Sequence, residues 1–496
     1  MNESLISSSR LFIIIMKEQA WNWINESRDR LIELSDAIWD YAELGLMEER
    51  SSRLLADELA SHGFSVERGV AGMPTAFVAS WGSGSPVIAV LGEFDALPGI
   101  SQKKVPYRDP LNEGAPGHGC GHNIHGVSGM AGAVAVRYAM EKLGLKGTVR
   151  FYGSPAEENY DGKTFMARAG LFDDVDASLS HHPSSVNTAG LKSSNAVYSV
   201  KFHFYGKTSH AAGSPEQGRS ALDAVELMNV GVNYLREHVI DKARIHYITE
   251  DGGDQPNVVP GYARSWYYIR APENDQLEPI YGRIKKIAEG AALMTETDLK
   301  IDYLCGCSNK IPNRTLSELV VANMREVGAP EYTDDELEFA GKIAESVPRQ
   351  QKVDRLRSAK LPNWERYVDV DLVSEIFDAW DEGEVNMGST DVSDVSWNTP
   401  TMEFSTATFV LGAPGHAWQA VACSGTSIGH KSLIFAAKTI AGSALELLTK
   451  PELIESAKTE LERRLQGRPY SCPIPDDVKP PLEAAKAAAE RLAKKG

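Results

Sequence analysis

Short apolar runs and longer helical periodicities alternate along the first half of the chain. Between Trp21 and Leu46, Ile24, Leu31, Leu34, Ile38 and Ala42 recur near helical spacing. Residues 76–81 and 87–91 are apolar runs bounded by Gly, Ser and Pro, which predicts strand, turn, strand. Residues 126–143 predict a buried helix rich in small side chains, and 148–152 another strand ending in Gly153-Ser154-Pro155. A short strand at 177–179 follows. The rhythm then changes: strand 196–205, helix 217–236, strand 243–249, strand 262–270, helix 275–292, strand 298–304. That β-α-β-β-α-β order is ferredoxin-like and closes on itself, so a small α+β domain is expected at 195–306, inserted into a larger one. Residues 307–385 are polar and irregular with some helix; 401–405 and 407–411 return to strand and 431–448 to helix. The Ala/Lys/Glu-rich stretch 480–496 predicts an exposed or frayed terminal helix. The pattern is that of an α/β protein, a central mixed sheet with helices on both faces, carrying an inserted domain. The expected divisions are 17–194, 195–306, 307–470 and a tail at 471–496.

Composition narrows the classes. A chain of 496 residues has room for two to three domains, and 42% hydrophobic with 24% charged residues excludes wholesale disorder. A net charge of −17, with no Lys/Arg cluster outside the Lys-rich end, disfavours nucleic acid as a partner. No apolar run approaches the roughly 18–20 residues of a membrane span. The run 11–16 is six residues, short for a signal-peptide core, so no secretory signal is expected. Residues 1–15 read as an upstream extension or a start-site artefact ahead of Met16. Five cysteines, an odd number, fit a reducing cytoplasm better than a disulfide framework.

The densest chemistry is Gly117-His118-Gly119-Cys120-Gly121-His122-Asn123-Ile124-His125-Gly126. Glycines let flanking side chains converge, and Cys with His are donors suited to Zn²⁺ and similar ions. A glycine loop with a buried thiol and exposed imidazoles is the plain alternative, and the clustering disfavours it. Upstream, Leu91-Gly92-Glu93-Phe94-Asp95 places acids at the end of an apolar strand, where Asp95 could accept the second N–H of a ligand imidazole. Pro155-Ala156-Glu157-Glu158 follows the next strand. Beside a metal site, one such carboxylate coordinates while the other takes a proton from water that the ion has acidified to a pKa of roughly 7. Ser180-His181-His182-Pro183, at the end of the short strand, supplies further imidazoles. Each signal is weak alone; all of them sit at strand ends.

In order along the chain, GEFDALPG, GHGCGHNIHG, SPAEENYDGKTFMARAG, SHHP, GKTSHAA and NVVPGYARSWYYIRAP resemble the M20 metallopeptidase/amidohydrolase family, and within it the aminoacyl-amidohydrolase branch. The likeness runs from about Trp21 to Leu465. It implies a metal-dependent hydrolase domain with a lid and dimerisation domain at 195–306. It further implies two divalent ions, Zn or Mn, with Cys120 bridging and His122, Glu158, His182 and His416 as the other ligands. His181 and His430 are the rivals of the last two. Glu157 matches the general base. His210 matches a histidine that reaches the partner protomer's site to stabilise an oxyanion, and Asn257 and Arg270 match polar positions that hold substrate. Asn123 stands where many members carry Asp, and Cys305-Gly306-Cys307 reads as structural. The activity implied is hydrolysis of the amide bond of an N-acyl amino acid, p-aminobenzoyl-glutamate or a related aminoacyl amide. A dipeptidase or another N-acyl amino-acid hydrolase on the same scaffold is the alternative. The implied assembly is a homodimer, or a mixed one with a related second chain. A metal-binding structural or partner subunit that has lost catalysis is disfavoured by the intact Glu157, and a nucleophilic Cys120 paired with His122 would leave both glutamates and the downstream histidines unexplained.

Overall fold

The computed structural model describes residues 2–493, with side chains described for 11–492. The first strands are β1 (Ser65–Arg68), β2 (Phe77–Ser83), β3 (Val87–Glu93), β4 (Gly147–Ser154), β5 (Ala177–Ser184), β6 (Asn187–Thr188) and β7 (Ser193–Ser194). Then come β8 (Ala196–Tyr205), β9 (Arg244–Asp251), β10 (Tyr262–Ala271) and β11 (Asp298–Cys307), followed by β12 (Ile376–Phe377), β13 (Val385–Asn386) and β14 (Thr401–Ala407).

One eight-stranded sheet has the order β1-β2-β4-β3-β5-β14-β6-β12. Its centre, β4-β3-β5-β14, is parallel throughout, while β1, β2 and β4 pair antiparallel. Every residue of β3 is buried, as expected of a parallel strand covered on both faces. The helices Asn2–Glu26, His122–Leu143 and Ser427–Thr449 share one core on one side; the other side is filled by Tyr152, Phe165, Phe172 and Val395. The helix His122–Leu143 lies directly against β3 because two of its residues lack a Cβ. A Cβ on Gly126 would sit 2.6 Å from Glu93 O, and one on Gly129 2.7 Å from Leu91 O. Four parallel strands therefore open their carboxyl ends on one edge, the place where open α/β sheets gather ligands.

A four-stranded antiparallel sheet, β11-β8-β10-β9, forms the second unit. The helices Ala221–Leu235 and Asn274–Thr295 cover one of its faces, and β10 alternates buried and half-buried along its length.

Three expectations are corrected, for the helix at 126 and the strands at 177–179 and 407–411. The helix expected from 126 begins at His122, because Gly121 adopts φ +77° and caps it there, so the second half of the glycine-histidine loop is a helical turn. The strand expected at 177–179 continues to Ser184, placing His181 and His182 inside β5 rather than after it. The second strand at 407–411 does not form: the amides of Thr408 and Phe409 both turn to Ser184 O, which ends β14 at Ala407. The polar segment 307–385 holds three helices, Arg314–Val327, Asp334–Ala344 and Arg349–Ser358. The terminal helix spans Leu482–Ala493; Met1 and the Lys-rich end, 494–496, lie outside the described residues. Among the described residues one helix, Ser427–Thr449, is long and apolar enough to cross a membrane, with a mean hydropathy of 1.3, but 89% of that stretch is buried inside the fold.

Candidate metal centre

The parallel sheet edge collects the candidate donors from four places. Cys120 and His122 come from the Gly121 turn and the helix it starts, Glu157 and Glu158 from the loop after β4, His182 from β5, and His416 from the loop after β14. Their ligand atoms fall into groups, each mutually within 4.8 Å: Cys120 with His122 and His182, Cys120 with Glu158 and His416, and Glu93 with His122 and Glu157. Cys120 belongs to two of them. Its Sγ is 3.3 Å from His182 Nε2, and His416 Nε2 is 3.5 Å from Glu158 Oε2.

Adjacent residues of a strand point to opposite faces, which separates the two histidines of β5. His181 turns into the core, where Nδ1 meets Ser128 Oγ at 2.9 Å and Nε2 meets Thr406 Oγ1 at 2.6 Å, so both ring nitrogens are engaged. His182 instead leaves Nε2 toward Cys120, with Nδ1 2.8 Å from Pro183 O. His430 sits in the helix Ser427–Thr449, 3.0 Å from Asp36 Oδ1 and outside the donor groups, whereas His416 is inside one.

Asp95 ties the arrangement together. Its Oδ1 is 2.8 Å from His122 Nδ1, which frees Nε2 for the centre, and its Oδ2 accepts the Glu158 amide at 3.0 Å. Glu93, named in the strand-end motif but given no role, extends the site further. Its Oε2 lies 3.1 Å from His122 Nε2, and its Oε1 is 2.6 Å from Lys163 Nζ, itself 2.7 Å from Asp391 Oδ1. All three of these charged side chains are fully buried. Asp391 is 228 residues beyond Lys163, and no local pattern announces their meeting.

The electrostatics match a cation-binding centre. Burial, then the charges of Glu93 and Glu158, hold the Glu157 carboxyl well above its usual range; burial raises Glu158 to about 8, with Asp95 and Glu93 adding to it. Burial lowers His182 and His416, keeping them neutral as metal binding requires. The Cys120 thiol is pushed up, by burial first and then by Glu158. Carboxylates crowd together, His122 Nε2 and Glu158 Oε1 are buried without a hydrogen bond, and thiol, imidazole and carboxylate donors converge. These residues fit divalent ions.

The remaining sequence-derived residues stand apart. His210 and Asn257 are exposed together on the four-stranded unit, where the Ala211 amide donates to Asn257 O at 3.0 Å; neither meets the donor groups of its own chain. Arg270, at the end of β10, donates to Ser389 Oγ at 2.7 Å. Asn123 turns away from the centre, donating to Ser35 Oγ and Ser424 O. Cys305 and Cys307 are buried in β11, and all five cysteines are free.

Comparison with known proteins gives the same neighbourhood. The model of peptidase family M20/M25/M40 matches residues 89–495. The chain is 42% identical over 468 residues to one of the two named subunits of the p-aminobenzoyl-glutamate hydrolase of Escherichia coli strain K12, covering 92% of this chain and 97% of that one. It is 30% identical over 480 residues to the Xaa-Arg dipeptidase of Mus musculus, covering 93% and 95%. Among solved structures, an aminobenzoyl-glutamate utilization protein from Klebsiella pneumoniae superposes with a TM-score of 0.57 at 17% identity, covering 86% of this chain and 98% of that one. A dinuclear metal-binding peptidase of the M20 family from Bacillus subtilis gives 0.53 at 18%, covering 86% and 99%. These two likenesses bear on the fold alone.

Proposed function

The chain belongs to peptidase family M20/M25/M40, and from that premise we propose that it cleaves the amide bond of an N-acyl amino acid, p-aminobenzoyl-glutamate first among them. It is a metal-dependent hydrolase. The observation that carries the reading is the shared position of Cys120 between two donor groups, with Glu157 beside them. Cys120, shared by two of the donor groups, would hold two ions, zinc or manganese, together with His122, His182, Glu158 and His416. Such ions supply a Lewis acid for the amide carbonyl and lower the pKa of water. Glu157 takes the proton of the attacking water and returns it to the leaving nitrogen, so that the amine departs neutral. Asp95 holds His122 in the tautomer that presents Nε2, and the neutral His182 and His416 need lose no proton to coordinate.

Residues 17–194 and 307–470 form the catalytic unit in this reading, 195–306 the lid and dimerisation unit, and 471–496 a tail. His210 then serves the partner's site in a homodimer, stabilising the oxyanion. Supporting this, Leu227, Val230 and Tyr234 are exposed along one lid helix, an apolar stripe suited to a second copy. Asn257 and Arg270 hold the substrate's polar groups. A mixed assembly with a related chain is the alternative, prompted by the Escherichia coli hydrolase, whose two separately named chains are both similar to this one. Five free cysteines favour a reducing cytoplasm.

A panel of p-aminobenzoyl-glutamate, other N-acyl amino acids and dipeptides, each with and without chelator, tests the proposal by mass spectrometry of released products. Chelator-sensitive release of glutamate above all other products is expected. Preferred cleavage of dipeptides ending in arginine would replace the substrate with that of the dipeptidase relatives.

A further inference from the structure

Between β4 and Glu158 the backbone makes a turn that an ordinary residue resists. Ala156 is fully buried and adopts φ +60°, the left-handed region that a Cβ disfavours. The turn is held from both ends by buried carboxylates. Asp95 Oδ2 accepts the amide of Glu158 at 3.0 Å, and Glu48 Oε1 accepts the amide of Ala156 at 2.8 Å. Glu48 lies 108 residues upstream, is fully buried, and is fixed by Thr75 Oγ1 donating to its Oε2 at 2.9 Å. The chain around it is pressed against the same turn: a Cβ on Gly45 would be 2.3 Å from Asn159 Oδ1 and 2.9 Å from Ala156 Cβ. Glu157 therefore sits between two clasped amides.

We infer that Glu48 is a positioning residue for the general base: by accepting the Ala156 amide it holds a strained turn that aims Glu157 at the reacting atoms. The inference rests on the role given to Glu157 above. Glu48 itself is in none of the donor groups; its side chain meets Thr75 and the Ala156 amide, and its effect passes through the backbone. Misplacement of a catalytic group by about 1 Å can cost on the order of 10²-fold in rate.

The test combines turnover with hydrogen exchange in the metal-loaded enzyme, using E48A, E48Q, A156G and E48A/A156G. In E48A, exchange of the segment 152–161 is expected to quicken about tenfold or more, while other segments keep their protection. Its kcat is expected to fall about 10–100-fold with KM within about twofold. E48Q retains an acceptor for the Ala156 amide and is expected to stay near wild type in both readouts. A156G removes the left-handed penalty, so E48A/A156G is expected to recover about fivefold or more of the lost kcat. Where E48A fails to fold, E48D, which withdraws the acceptor by one methylene, is expected to behave as E48A does. Unchanged exchange over 152–161 on removal of the acceptor overturns the inference. So does a kcat loss that E48Q shares and A156G does not relieve. If the wild type cleaves no amide, the proposed function fails by itself, and the exchange result still decides whether Glu48 holds the turn.

Discussion

Replacing Lys163 with Met removes the ammonium from a fully buried group of charges. Its Nζ lies 2.6 Å from Glu93 Oε1 and 2.7 Å from Asp391 Oδ1, and none of the three side chains is exposed, so solvent screening does not discount the loss. Breaking a buried pair by deleting one partner costs about 3–5 kcal/mol, because it leaves an uncompensated charge behind. Two carboxylates share this lysine, which argues for the upper end. Each keeps some compensation: Glu93 Oε2 has His122 at 3.1 Å and His125 at 3.5 Å, and Asp391 Oδ2 still accepts the Lys163 amide at 2.7 Å. A loss beyond about 5 kcal/mol is therefore not expected. At about 2.1 cal/mol/K of unfolding entropy per residue, the 496-residue chain would lose about 3–5 °C in Tm. Scanning calorimetry of metal-free K163M against wild type reads this directly, and the triple variant E93Q/K163M/D391N, which removes all three charges, is expected to regain most of the loss. A K163M midpoint within about 1 °C of wild type would refute the reasoning.

Glu157→Gln is expected to lower kcat by about 10²–10⁴-fold with bound metal unchanged, measured by steady-state kinetics beside elemental analysis; near-normal kcat would remove the base. His182→Ala is expected to lose metal affinity while His181→Ala keeps it, since His181 spends both ring nitrogens on Ser128 and Thr406; equilibrium dialysis separates the two, and equal losses would contradict the facing of β5. His210→Ala is expected to lose turnover yet retain metal, and mixing it with an Asp95→Asn chain to restore part of the activity; no restoration after verified exchange of protomers argues against a shared site.

Much of this is legible in the chain itself. The ferredoxin-like unit is readable because its strands alternate, β10 being the clearest case, and its helices carry single apolar faces. The candidate donors Cys120, His122 and Glu158 and the candidate base Glu157 are readable because they lie in compact motifs. What stays hidden depends on distance or on backbone geometry. Nothing local links Lys163 to Asp391 or Glu48 to Ala156; only the parallel sheet and its crossovers bring them together. The choice between His181 and His182 needs the length of β5, since a strand that stopped at 179 would not fix which imidazole faces inward. His416 needs its loop, whose left-handed φ of +54° no spacing foretells.

The most direct test of a metal-dependent hydrolase built around Cys120 is a titration of metal-free protein with zinc or manganese while hydrolysis of p-aminobenzoyl-glutamate is followed. Turnover is expected to rise from baseline and saturate at about two equivalents, as in two-metal hydrolytic sites. C120S is expected to need more free metal by at least the about 10–100-fold that losing an outer partner of a ligand costs. Turnover that ignores added metal and chelator, or a C120S curve that overlies the wild type, would contradict the account.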